Sequence, residues 1–215
     1  MPEMVPRGSL KALPLPAEIP ALSRTSQLLV LGDMDAVSHG LAEGTAGDRA
    51  SDAYVGAVLG QVRISAGAFG PITRIRLAAS SATARHHLDL VMRSANNVWS
   101  IRQGLDGADH ALVEELEDLA AARLAPRNHK HAPRDAGLVV LLAQDHIYGP
   151  AVHQLRLLGV PTWVLQPGRY IAAELYKAAT AVTVLSQGSQ LEPGPLRVPE
   201  PCRLRMSGVS CSRAG

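Results

Sequence analysis

Short apolar runs alternate along this chain with longer stretches in which apolar residues recur at helical spacing. The runs are Leu28–Leu31 (LLVL), Ile72–Ala79, Asn97–Arg102 (NVWSIR), Gly137–Leu142 (GLVVLL), Pro161–Gln166 (PTWVLQ) and Ala181–Leu185 (AVTVL). Each is short, β-rich and bounded by turn residues or a helical pattern, as strands covered on both faces are. Helices are expected at about residues 50–66, 81–94, 107–123, 150–158 and 170–179. In the third of these, Leu112, Leu116 and Leu119 fall on one face, and in the fourth Val152, Leu155 and Leu158 do the same. Gly159 follows as a C′ stop before Pro161. Strand and helix in alternation predict an α/β fold with three layers, α/β/α, around a mostly parallel central sheet. Right-handed crossovers then bring every strand-to-helix loop to one rim.

The ends of the chain read differently. Residues 1–26 carry Pro2, Pro6, Pro14, Pro16 and Pro20, which predicts an extended arm rather than a packed element. From Ser186 to Gly215 the sequence is rich in Pro, Gly and Ser and reads as a flexible tail. One domain, residues 27–185, lies between them, and a length of 215 residues is short for two. Aromatic residues make up only 3%, with Phe69 the single phenylalanine, so the core must be built from Leu, Val, Ile and Ala. A net charge of +2 leaves any nucleic-acid footprint to local patches. Cys202 and Cys211 both fall in the tail, which points away from a disulfide framework and towards the cytoplasm. The proline-broken N-terminus does not read as a signal peptide, and no apolar run is long enough for a bilayer.

The candidate chemistry is acidic. Asp33 and Asp35 follow the first strand (LGDMDAV), Asp106 and Asp109 follow the third (GLDGADHALVEEL), and Asp145 follows the fourth (LLAQDHIYGP). All therefore belong to the carboxyl edge of the sheet, where open α/β sheets bind ligands. Converging carboxylates repel, and a hard divalent cation such as Mg²⁺ or Mn²⁺ relieves that repulsion with oxygen ligands. Asp109 precedes Leu112 by three residues and so leans towards the buried stripe, whereas Asp106 is better placed as an N-cap. Capping is also the competing role for Asp145, and an Asx turn for Asp35. Asp33, Asp35, Asp109 and Asp145 are the metal-ligand candidates, with Asp33, Asp109 and Asp145 the catalytic set. Arg169 and Tyr170 (QPGRY, after the fifth strand) share that rim and are candidates to hold substrate phosphate; His146 is a third, as a proton-transfer aid or a solvated loop residue. The basic loop 123–134, with Arg123, Arg127, Lys130, Arg134 and His129, emerges on the opposite rim. His86 and His87 are adjacent and point to different faces, which argues against a zinc pair.

The segment GADHALVEELEDL, followed after the basic loop by AGLVVLLAQDHIYGPAVHQLRLLGVPTWVLQPGRYIAAELYKAATAVTVL, resembles the NYN domain family, a branch of the PIN-like nucleases. Asp33 and Asp35 match that family's acid-rich end of the first strand, and Asp109 its G-A-D helix start. Asp145 with Tyr148 matches a segment close to S-G-D-x-x-F, and Leu155 with Gly159 the following L-x-x-x-G. The resemblance covers about residues 27–185 and is best from 104 onward. It implies a PIN-like domain of flavodoxin-like topology with the first and fourth strands adjacent, so that Asp33, Asp109 and Asp145 share one Mg²⁺ or Mn²⁺ site that hydrolyses RNA phosphodiesters. The sequence departs from the pattern at Ala36, where Asn is usual, at Ala143-Gln144 in place of S-G, and at Ile147, where many relatives carry a further Asp.

Two functions follow. One is a metal-dependent ribonuclease. The other is a degenerate NYN-like domain that binds RNA or a protein partner without cleavage. A homodimer, or a protein partner engaged through the tails, is compatible with either; a membrane is not expected. A receiver-like phosphoryl site is remote, because Gln166-Pro167-Gly168-Arg169 stands where a receiver needs Lys.

Overall fold

All six apolar runs form strands, and every neighbouring pair is parallel. They are β1 (Gln27–Asp33), β2 (Ile72–Ser80), β3 (Val98–Arg102), β4 (Ala136–Leu142), β5 (Thr162–Gln166) and β6 (Ala181–Val184). The structure, a computed structural model, describes residues 13, 15–19, 27–42, 49–93, 97–104, 106–124, 136–168 and 170–185. The strands lie in the order β3-β2-β1-β4-β5-β6. The chain winds outward from β1 to β3, returns to the other side of β1 for β4, and winds outward again. That reversal puts a crevice between the carboxyl ends of β1 and β4, the place where such sheets receive ligands.

Among the described residues, seven helices cover the sheet: α1 (Met34–Gly40), α2 (Asp52–Gly67), α3 (Ser81–His86), α4 (Leu88–Arg93), α5 (Gly107–Leu124), α6 (Gly149–Leu157) and α7 (Ala173–Ala178). Period-2 alternation on the strands divides the core in two. Leu28, Val30, Leu138, Val140 and Leu142 face α1 and α2, packing with Val37, Val55, Val58 and Val62. Leu29, Leu31, Val139 and Leu141 face α5 and α6, packing with Leu112, Leu116, Leu119 and Leu155. The result is a three-layer α/β/α sandwich of the flavodoxin-like kind. Each such leucine or valine, once fully buried, contributes roughly 1.5–3 kcal/mol. No helix among the described residues is long and apolar enough to cross a membrane.

Four elements differ from the sequence reading. Helix α1 was not anticipated, because MDAVSHG is too short to show a period. The expected helix 81–94 breaks at His87, whose φ of −103° and ψ of 32° end α3 and start α4. The last helix begins only at Ala173, since Ala172 is extended. The proline-rich arm is not wholly unpacked: Leu13 and Ile19 join the first core, and the Leu13 N–H donates to Ser65 Oγ at 2.6 Å. Two apolar side chains outweigh the extended bias of the intervening prolines. The predicted stop at Gly159 holds: its φ is +74°, and Val160 N–H returns to Leu155 O at 2.9 Å.

Candidate functional site

Asp33 is the last residue of β1 and also the N-cap of α1. Its Oδ1 accepts the N–H groups of Asp35 and Ala36, each at 3.0 Å. The short helix therefore fixes the carboxylate, and leaves Oδ2 facing the α5 layer. There Oδ2 lies 3.3 Å from the Tyr148 hydroxyl. The same hydroxyl donates to Asp109 Oδ1 at 2.5 Å. Asp109 occupies the first turn of α5, and Tyr148 ends a 3-10 turn, His146–Tyr148, between β4 and α6. Residues 33, 109 and 148 thus come from three separate strand-end loops and meet at the rim beside the β1/β4 crevice.

This pair of acids is electrostatically unfavourable. Burial pushes the Asp33 carboxyl well above the usual carboxylate range, and the charges of Asp109 and Asp35 push it further; the Ala36 N–H opposes them. Tyr148 is shifted upward as well, by burial first and then by both carboxylates, so it stays a protonated donor. One O–H proton serves two acceptors, and the shorter contact goes to Asp109.

The other acids are placed elsewhere. Both oxygens of Asp35 are taken by Ser80, from its N–H at 2.8 Å and its Oγ at 2.7 Å. That separates Asp33 from Asp35, which the sequence left open. Asp145 does not join the pair. It caps the 3-10 turn, with Oδ1 2.7 Å from both the N–H and the Nδ1 of His146, and its side chain is 55% exposed. The expected convergence of three aspartates is therefore corrected to two, because local capping of the turn directs Asp145 outward. Among the described residues, no three of His, Cys, Asp and Glu form a group able to hold a metal. Asp106 precedes α5 with a φ of 58°, and its carbonyl accepts the His110 N–H at 3.0 Å. Tyr170 and His146 are exposed. Arg169, and residues 125–134 of the basic loop, lie outside the described residues.

No family model and no curated protein matches the chain. A solved protein of unknown function from Vibrio parahaemolyticus is similar in fold, with a TM-score of 0.50 and 13% identity over 76% of this chain and 94% of that one. At that identity the likeness concerns the fold alone.

Two further buried polar clusters escaped the sequence reading. Ser38 Oγ lies 2.8 Å from His87 Nε2, and His87 Nδ1 lies 2.5 Å from Asp52 Oδ1. The order resembles a nucleophilic triad, but Ser38 and His87 have no exposed surface. No substrate reaches them, and they join α1, α2 and the α3–α4 break. Glu115, on α5, is paired with Arg74 at 2.5 Å and with Arg76. The Ser38–His87–Asp52 cluster is invisible in sequence, since residues 38, 52 and 87 are joined only by the fold. A cavity of about 270 Å³ between α2 and α4, floored by Val30 and Ile75, contains none of the rim acids.

Proposed function

We propose that this chain is an NYN-like, metal-dependent ribonuclease whose cation site is built on Asp33 and Asp109. The observation that carries the reading is the meeting of these two carboxylates, from separate loops, at the β1/β4 crevice. Their donors suit the group: Mg²⁺ is commonly held by one or two carboxylates, with water and substrate phosphate supplying the rest. When bound, such a cation supplies Lewis-acid polarisation of a phosphate and offsets the charge that grows on it. The protein's own residues would orient that chemistry. Asp33 is held by the α1 amides, Tyr148 bridges it to Asp109, and His146 and Tyr170 stand exposed on the same rim to meet substrate. RNA as the substrate rests on the NYN resemblance.

Asp145 favours the second reading, a domain that binds RNA or a protein partner without cutting it, because its carboxylate is engaged with His146 rather than with the pair. One experiment separates the two. A fluorescent single-stranded RNA is incubated with the protein and Mn²⁺, alongside Asp33→Asn and Asp109→Asn. The ribonuclease reading expects cleavage that chelator and either substitution abolish. RNA binding that ignores chelator, with no cleavage, supports the second reading. Cleavage that survives both substitutions refutes the site.

A further inference from the structure

Asp33 has one oxygen to offer a ligand. Its Oδ1 is spent on two α1 amides, and only Oδ2 faces Asp109. The Tyr148 hydroxyl lies on that oxygen and on Asp109 Oδ1 together. Its ring is fully buried in the second core, so no rotation carries the hydroxyl to solvent. We propose that Tyr148 holds the cation position closed: its O–H stands between Asp33 and Asp109 as a substitute for the cation, and the two compete for the same oxygens. This rests on the metal reading above.

The geometry adds a consequence. Tyr148 ends the turn that Asp145 caps from its other end. Displacing the hydroxyl therefore bears on the same turn that Asp145 caps. Competition of this kind obeys linkage. A contact made only in the metal-free state weakens cation binding by the factor that it stabilises that state. A hydrogen bond to a charged acceptor places that factor at about tenfold.

The test titrates the full chain with Mn²⁺ alone by calorimetry, as wild type and as Tyr148→Phe. The phenylalanine variant is expected to bind about tenfold more tightly, and to melt at a lower temperature than wild type only when metal-free. If wild type binds and the variant binds equally or less tightly, Tyr148 is no competitor, and the proposal falls while the metal reading stands. If neither binds, the metal reading falls and takes the proposal with it. Should Tyr148→Phe not fold, the tyrosine ¹³Cζ resonance of Tyr148 in wild type decides. It is expected to move as Mg²⁺ binds, and binding that leaves it unmoved overturns the proposal.

Discussion

Replacing Asp33 by Asn should stabilise the metal-free protein at neutral and alkaline pH. Asn retains the Oδ1 that accepts the α1 amides, and Asn and Asp are comparable N-caps, so the helix start survives. Its amide can also donate to Tyr148, which remains free to donate to Asp109. What disappears is one of two negative charges. Both carboxylate oxygens touch one hydroxyl, at 3.3 and 2.5 Å, so they are within about 6 Å of each other. At an effective dielectric near 20, full ionisation of both would cost roughly 3 kcal/mol. Solvent reaches Asp109, and Asp33 can take up a proton, so the net gain is smaller, about 1–2 kcal/mol, or roughly 2–8 °C for a domain of this size. The sign follows from the raised Asp33 carboxyl. The folded state holds that proton more tightly than the unfolded state, so wild-type stability is fullest below the unfolded value near 4. It is lost as pH rises through the folded value. Thermal melts in chelator from pH 4 to pH 8 should therefore show Asp33→Asn pulling ahead of wild type as pH rises. A variant that is less stable at pH 8, or a difference independent of pH, would refute the electrostatic account.

Other consequences concern the joints around the site. His87→Ala removes the partner of buried Ser38 and of Asp52, and should cost roughly 2–3 kcal/mol by urea unfolding. A loss below about 0.5 kcal/mol would mean that the cluster is idle. Glu115→Ala leaves Arg74 and Arg76 facing each other without a counter-charge. Because both arginines are partly exposed, the expected loss is about 1–2 kcal/mol, shrinking as salt is raised. Gly40→Ala places a Cβ 2.9 Å from the backbone of Pro167 and Gly168, which cannot give way as a side chain can. It should lower the melting point by several degrees, by roughly 1–3 kcal/mol of overpacking.

The layers of this fold were legible because both periods are strong. Six β-rich runs announced six strands, and Leu112, Leu116 and Leu119 announced the buried face of α5. Helix α1 was not legible, since two turns are too few to display a period and its start depends on Asp33 closing around its own amides. At the candidate site, strand-end position put Asp33 and Asp109 on one rim, where they meet through Tyr148, and helical angle preferred Asp109 to Asp106. What sequence could not weigh was which competing partner wins. Asp35 and Asp145 carry the same carboxylate at the same rim; Asp145 is taken by the adjacent His146, the capping role open to it, and Asp35 by Ser80, 45 residues away at the end of β2. The Tyr148 bridge was not legible either, because its partners lie far from it in sequence, in two other loops.

The polar clusters beside and beneath the sheet do not all have the same explanation. Asp35 meets two donors of Ser80, His87 meets Ser38 and Asp52, and Glu115 meets two arginines. In each, a buried or half-buried polar group faces a donor or an opposite charge, which is how such groups are made tolerable to a fold. Asp33 and Asp109 also meet donors, but they add a conflict the other clusters lack, two carboxylates facing each other. Two acids share one proton of Tyr148, and burial makes their repulsion worse. Stability therefore accounts for the first three clusters and opposes the fourth. A strained, like-charged pair at the crevice of a parallel sheet is the kind of local conflict that ligand sites impose, since the charge it lacks is the charge a cation brings. That argument supports placing the proposed cation site on the acid pair rather than on the more regular Ser38–His87–Asp52 cluster.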